Sequence, residues 1–502
     1  MRIGIVVLVL ISLLSAQDEV NEEIKHRLRP NMEHLYYEVP GDVENIGDMF
    51  TQGKFYGRFR FNSFGFKWKE ELQSSTGKYL RKDHAIMAIG GSLIYKSAYL
   101  NGFGVGAGLY VTEALGTLPK NEAYLYKAGK GVLSRYDQLT DGDDGILSLA
   151  QAYLEYKYEK TRVKGGRQIF ESFLTKSNDT KMIPNTFEGV TLVTKEIPQT
   201  VFKAAYLTGQ KLRDHSEFHH VLAYGYVSGA PADAYTQYTE NDDASMHIGL
   251  TLEALNAAGI DDRLVIFDAK NKSIENLTLF ANYTTVPELL SYAMIQADYK
   301  FEAGAWTLIP GLRYMRQFDE GAGDVIGKDG ASRRLIAVNY NDPNSLDAEL
   351  FGARLDVVQH DIKLRFGYTK VADKADIIAP WRGFPTAGFT RAMSQYNWYA
   401  NTKSYMMQVN FFQNNIMHLG NIVIFGRYVY QDFDDEKPGV QADSQVVTLD
   451  LMKGFGGESN MYLKLRYGHV WGDEDTPIAG TTDLFKADPS YDELRLELNY
   501  LF

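Results

Sequence analysis

The chain has no cysteine in its 502 residues. That excludes a disulfide-built secreted module, a cysteine metal site and a cysteine nucleophile. It also lacks an excess of positive charge: 52 Lys and Arg against 64 Asp and Glu give a formal net charge of -12. Nucleic acid is therefore not an expected partner, because counterion-release binding needs a basic face. Beyond residue 16 there is no predominantly apolar window of about 18 residues, so the exported chain carries no transmembrane helix. His-Glu-x-x-His, Gly-x-Ser-x-Gly and a phosphate loop are all missing. His215, His219 and His220 have spacing that a metal could use, but they read as part of an exposed loop. Asp141 to Gly145 reads as a turn, because Gly142 occupies what would be a calcium-ligand position. No catalytic centre, cofactor or metal is expected.

What the chain does have is aromatic side chains and glycine: 33 Tyr, 27 Phe, 5 Trp and 45 Gly, with mean hydropathy of -0.28. Residues 1–16 read as an export signal, with Arg2 as the positive end, Ile3 to Leu14 as the apolar core and Ala16 as the small residue before cleavage. A buried N-terminal helix is the competing reading. Residues 17–52, with Glu22, Glu23, Lys25, Arg27 and Arg29 beside Leu35, Tyr36 and Tyr37, read as a periplasmic leader.

From residue 53 to 502 the dominant period is two. A strand that crosses a bilayer needs about 9 to 11 residues alternating apolar toward lipid and polar toward the lumen. Phe55, Gly57, Phe59 and Phe61 alternate with Tyr56, Arg58, Arg60 and Asn62. Ile362, Leu364, Phe366 and Tyr368 oppose Lys363, Arg365 and Gly367, and Met461, Leu463, Leu465 and Tyr467 oppose Tyr462, Lys464, Arg466 and Gly468. The chain ends in Leu494, Leu496, Leu498, Tyr500 and Phe502, alternating with Arg495, Glu497 and Asn499. Gly102 to Gly108 fits the same pattern as a strand with small lumen-facing residues, better than a dinucleotide turn.

The expected fold is all-β, a transmembrane antiparallel β-barrel. Its strands are predicted near 54–62, 85–96, 103–111, 147–158, 161–168, 187–195, 200–208, 263–269 and 277–285, then 292–300, 305–315, 348–357, 361–370, 403–411, 421–430, 445–453, 460–469 and 493–502. That makes eighteen, an even number as single-chain bacterial barrels have. Short connections such as 159–160 and 359–360 interleave with long ones such as 112–146, 169–186, 209–262, 316–347 and 371–402, as periplasmic turns and extracellular loops should. Two alternating stretches, 217–226 and 246–254, read either as a hairpin inside the 209–262 loop or as two more strands of a twenty-stranded barrel.

On the face opposite the aromatics lie Arg58, Arg60, Lys157, Lys300, Arg313, Arg354, Lys363, Arg365, Arg427, Lys464, Arg466 and Arg495, against Glu155, Asp268, Asp298, Asp356, Asp361, Asp450 and Glu497. Twelve basic to seven acidic makes a positive lumen in a negative chain. Such a lining favours anions, and low-dielectric walls focus its field. The same charges could instead pair across strands and simply fill a polar interior.

Gly166-Arg167-Gln168, then Lys181-Met182-Ile183-Pro184-Asn185-Thr186-Phe187-Glu188-Gly189, then a strand, a tight turn and Gly209-Gln210-Lys211-Leu212-Arg213, resemble the OprD family of outer-membrane porins. The segment Pro380 to Arg391 is similar to a long external loop of some members. The resemblance implies an eighteen-stranded pore in the outer membrane of a Gram-negative bacterium, passing small, often carboxylate-bearing solutes between inward-folded loops and past a ladder of basic side chains. It also implies contact with the lipid bilayer and lipopolysaccharide, and assembly by the barrel-assembly machinery; monomer and homotrimer both fit. Loop 169–186 is the expected constriction, with Lys176, Asp179 and Lys181 placed to meet solute. Arg167 divides the two readings, since strict alternation from Val163 sends it to the lipid side whereas the family motif favours the pore. The alternative function is a surface adhesin or structural barrel with no steady open channel.

Overall fold

The computed structural model describes residues 26–28, 34–116, 118–126, 132–177, 181–222, 250, 252–328, 341–342, 344–393, 395–413, 422–437, 440–455, 460–473, 476–477, 485–486 and 488–502. Residues 1–16, the expected signal, lie outside them.

Eighteen strands close into one barrel. They are β1 Lys54–Trp68, β2 His84–Lys96, β3 Phe103–Leu115, β4 Gly145–Tyr158, β5 Thr161–Gln168 and β6 Thr186–Thr194, followed by β7 Thr200–Lys211, β8 Leu264–Asn271, β9 Leu277–Val286, β10 Leu290–Tyr299, β11 Trp306–Asp319 and β12 Ala348–Gln359. The last six are β13 Ile362–Val371, β14 Lys403–Gln413, β15 Ile422–Asp432, β16 Ser444–Phe455, β17 Met461–Gly472 and β18 Tyr491–Leu501. Each pairs antiparallel with its neighbour in the chain, and β18 pairs with β1 from Tyr491↔Trp68 to Leu501↔Arg58. Several strands outrun their predicted ends, β1 by the six residues from Ser63 to Trp68. The alternation continues through them, with Phe64 and Phe66 buried on the inner face.

Closure follows from the solvent. Hydrocarbon offers no partner to a free N–H or C=O, so a sheet that spans it must leave no edge. The seam is finished by the last residue: Gly57 N donates to Phe502 O at 2.8 Å and Phe502 N to Gly57 O at 3.1 Å. Gly57 is the right residue for this position, because a Cβ there would stand 2.1 Å from the Phe502 ring. The outer face shows the expected apolar set, with Phe55, Phe59, Leu154, Tyr158, Phe351, Leu494 and Tyr500 exposed to what would be lipid.

Turns at one end are short, and the tightest carry one left-handed residue each, Glu159 at φ 47° and His360 at φ 49°. Long connections gather at the other end. The twenty-strand alternative fails, because β7 pairs directly with β8 over Thr200↔Asn271 to Leu207↔Leu264. Within that connection Leu252–Ala258 is an α-helix rather than strand; residues 223–249 lie outside the described residues. Among the described residues no helix is long and apolar enough to cross a membrane, which says nothing of a barrel.

His26–Leu28 and His34–Tyr36 form a two-stranded hairpin whose buried side chains meet inward residues of the wall, and Asp42–Val43 pairs parallel with Tyr99–Leu100 at the short-turn end. Deleting Phe502 removes two seam hydrogen bonds and the ring over Gly57, so the truncated chain should give a smaller heat-modifiable fraction on SDS gels and lower outer-membrane levels than wild type. Normal levels would show that the seam closes without it.

Candidate functional site

The inner wall from β10 round to β1 carries a band of basic side chains that follows the register from strand to strand. Asp356 stands opposite Arg365, Arg365 opposite Gln408, and Gln408 opposite Arg427; further on, Asp450 faces Arg466, which faces Arg495. These side chains have acceptors. Arg365 holds Asp356 bidentate at 2.6 and 2.7 Å, and Lys363 reaches the same carboxylate at 2.6 Å. Arg354 pairs with Asp298 at 2.7 Å, Arg466 with Asp450 and Arg495 with Glu493, while Lys464 lies 4.0 Å from Glu497. Arg58 donates twice to Asn499 Oδ1, at 3.0 and 2.8 Å. Most of these basic side chains therefore have an acidic or amide partner on a neighbouring strand. Leaving aside Lys54 and Asp319 at the strand ends, the inward set from β10 to β1 is Arg58, Arg60, Arg313, Arg354, Lys363, Arg365, Arg427, Lys464, Arg466 and Arg495 against Asp298, Asp356, Asp450, Glu493 and Glu497, ten to five.

The arginines do a second thing: their remaining N–H groups hold the inward loops by main-chain carbonyls. Arg313 Nη1 donates to Pro385 O at 2.7 Å and Ala387 O at 3.0 Å, with its Nε and Nη2 on Gln296. Arg354 and Arg365 both reach Gly388 O, at 3.3 and 2.9 Å, and Arg427 reaches Arg391 O at 2.9 Å. Arg60 Nη1 holds Met182 O of the other loop at 3.2 Å. Phe389 packs between, with Arg313 over its ring at 4.4 Å and Arg354 at 5.1 Å. A guanidinium suits this double duty because it presents five N–H donors in a rigid fork, where an ammonium presents a point charge.

The two loops then clasp each other within the barrel. Gly383 N donates to Leu174 O at 2.7 Å and Lys176 N to Trp381 O at 3.1 Å, with Thr175 and Arg382 bridged between them. Gly383 must be glycine here, since a Cβ would fall 2.2 Å from the Leu174 carbonyl carbon. A third connection joins through the same residues: Trp381 Nε1 donates to Val221 O at 2.6 Å, and Arg382, fully buried, pairs with buried Asp214 at 3.2 Å. Phe170, Phe173, Leu174, Val221, Trp381 and Trp398 form the apolar core of this junction. Burying that many large side chains inside a lumen excludes water from part of its section and fixes the loops.

Of the residues expected at the constriction, Lys181 is buried with its Nζ 3.7 Å over the Phe64 ring. Burial, with Arg495 and Arg213 adding to it, pushes its ammonium well below the ordinary lysine pKa. Lys176 remains partly exposed, 3.6 Å from Glu171. Asp179 lies outside the described residues. Arg167 is a correction to the family motif. Its register with β4 is unbroken from Glu155↔Lys164 to Ala152↔Arg167, so no bulge at Gly165-Gly166 turns it inward. It sits on the outer face, paired with Glu188 at 2.7 Å and over Phe218 at 4.4 Å. A lone charge on that face costs about 2 to 4 kcal/mol at the midplane, and the Glu188 pairing offsets it.

The sequence reading missed a second basic group on the opposite wall. Arg162 and Lys164 on β5 lie 3.5 and 3.3 Å from Glu155, which also accepts from Tyr99 Oη at 3.1 Å. The two-residue spacing of Arg162 and Lys164, on one face of β5, is the signal that marks it. His215 Nδ1 and His219 Nε2 are 2.8 Å apart and His220 pairs with Asp262 at 2.7 Å; among the described residues no three metal-ligating side chains gather.

The sequence profile described as outer membrane porin, OprD family, matches residues 76–416. Among solved structures, OccAB3 of Acinetobacter baumannii aligns with a TM-score of 0.65 at 15% identity, over 90% of this chain and 99% of that one. OpdK of Pseudomonas aeruginosa, solved with vanillate, aligns at 0.64 and 14% identity with the same coverage, and OccK9 (OpdG) of that organism at 0.64 and 16%, again over 90% and 99%. Identities this low speak for a shared fold. No curated protein matches the sequence.

A Gly383→Ala substitution should part the clasped loops without touching the wall. Single-channel conductance in planar bilayers should rise while the barrel stays heat-modifiable. Unchanged conductance would place the clasp away from the conduction path.

Proposed function

The chain belongs to the OprD family of outer-membrane porins, which are channels rather than enzymes, and from that premise we propose that it passes small anionic, carboxylate-bearing solutes by passive diffusion. The observation that carries this reading is the ten-to-five surplus of basic over acidic side chains on the inner wall between β10 and β1. Basic side chains outnumber carboxylates there two to one, and they line a passage narrowed by low-dielectric loops, where a fixed field acts strongly on a permeating ion. Pairing also serves transport. A bare arginine row would bind a carboxylate too tightly to release it, whereas rungs already sharing Asp356 or Asp450 hold it weakly enough to hand it on. The vanillate in the OpdK structure, itself a carboxylate, supports the same solute class. Eighteen strands enclose a lumen wider than its own side chains, which favours a channel over an adhesin built on a filled barrel.

Steady channels in a planar bilayer are the first expected result, and a silent barrel would favour the adhesin reading. The charge claim is tested by Lys363→Gln with Lys464→Gln, two lysines that face the carboxylates of Asp356 and Glu497 rather than loop carbonyls. The surplus then falls from ten against five to eight against five. The reversal potential in a salt gradient should move toward cations, most at low ionic strength where screening is weak. An unmoved reversal potential would assign selectivity to the loops.

A further inference from the structure

The hairpin at the start of the described chain has no place in the diffusion mechanism above, yet it stands in the lumen. Leu28 is buried against Met452, Tyr462 and Leu501, with Val423 beside them. All four belong to the short-turn ends of β15 to β18, and the first three are buried on the inner face. The other half of the hairpin lies on β1 and β2. Tyr36 packs edge-on against Tyr56 at 4.6 Å, and His26 against the same ring at 5.5 Å. Lys96 Nζ stands 3.3 Å from the centre of the Tyr36 ring. Arg58 Nη1 is 3.2 Å from His34 Nε2, and because a guanidinium only donates, that nitrogen accepts and is unprotonated. The hairpin therefore covers an unbroken arc of six strands, β15 through β18 and on to β1 and β2.

Its position relative to the constriction is given by a cavity of about 210 Å³, lined by His34 and Tyr36 from the hairpin, Lys96, Tyr153 and Lys164 from the wall, and Glu171 from the constriction loop. The hairpin and the constriction loop thus face each other across one space, and solute that clears the loop enters a chamber partly floored by the hairpin. Two three-residue strands cannot hold themselves together in water, where an isolated hairpin is marginal at best. What holds this one is the wall, through the Leu28 anchor, the ring contacts of His26 and Tyr36, Lys96 over the Tyr36 ring, and hydrogen bonds from Arg58 to His34 and between Arg27 and Tyr462. A seat of that size can be vacated while the barrel stays closed, since none of the hairpin's pairings belongs to the barrel sheet.

We infer that the paired strands His26–Leu28 and His34–Tyr36 are an autoinhibitory insert, a displaceable floor that makes a second narrowing at the short-turn end of the pore, below the clasped loops. It rests on the porin reading only for its electrical test. Deleting residues 17–37 leaves the export signal and Glu38, whose carbonyl still accepts from Tyr56 Oη at 2.6 Å and whose carboxylate still pairs with Lys54. The deleted protein should assemble as a heat-modifiable barrel and conduct about twofold more per channel than wild type, because the narrowing is removed and the wall is not. The single substitution Leu28→Asp, which puts a carboxylate against Met452, Tyr462 and Leu501, should raise conductance in the same direction. Because the chain has no cysteine, seating can be read without current. In assembled full-length protein a Leu28→Cys thiol should react with a water-soluble maleimide about tenfold more slowly than a Val39→Cys thiol, which replaces a residue 58% exposed. Equal labelling, or assembled deletion barrels with wild-type conductance, would overturn the inference. If neither protein conducts, the porin reading fails and the labelling ratio alone decides the hairpin's place.

Discussion

The interior of this barrel is organised by guanidinium groups that donate to main-chain carbonyls. Arg313, Arg354, Arg365 and Arg427 between them hold the carbonyls of Pro385, Ala387, Gly388 and Arg391, and Arg60 holds that of Met182. A long loop folded into a lumen loses water from its backbone, and each carbonyl left without a donor costs on the order of 1 to 3 kcal/mol. The arginine row supplies the donors. With their other N–H groups several of the same side chains bind Asp298 and Asp356 or the amides of Gln296 and Gln408, which fixes their planes and so the height of the loop. The field that would select solute and the shape that would narrow its path are therefore set by one group of residues, and a change in either alters both.

Because the loop is held there, it can meet the second loop, and the clasp at Leu174, Trp381 and Gly383 follows. The buried Arg382–Asp214 pair joins a third connection to the junction. Removing one partner of such a pair would leave an uncompensated charge, which is far more costly than the pair is stabilising. The negative charge of the whole chain finds room outside this region, for instance at the long-loop end, where Asp432, Asp434, Asp435, Glu436 and Asp443 crowd between β15 and β16. A net charge of -12 and a basic wall are compatible because they occupy different surfaces.

The barrel was legible in the sequence because period two is a local property and the membrane enforces it on every strand. Phe55 to Asn62, Lys363 with Arg365, and Leu494 to Phe502 can each be assigned a face without knowing their neighbours. Parity was the better guide even at Arg167, where the family motif pointed inward and the unbroken register places the side chain outward with Glu188. Residues that meet only through folding were not legible. Nothing local in Gly383 announces Leu174, more than two hundred positions earlier, and the pairing of Lys363 and Arg365 through one Asp356 needs the register of two strands. The alternation in 246–254 misled because short apolar runs suit helix and strand alike, and Leu252–Ala258 is helical. The hairpin escaped because three-residue strands are too short to show a period.

Arginines fixed by loop carbonyls leave basic side chains in excess on the inner wall where the loops fold in. Permeation of matched solutes through the wild-type protein in liposomes tests it most directly, using a small carboxylate and an ammonium compound of the same size at low ionic strength. The carboxylate is expected to enter several-fold faster, with the difference shrinking as salt screens the wall. Equal rates, or faster entry of the ammonium compound, would contradict it.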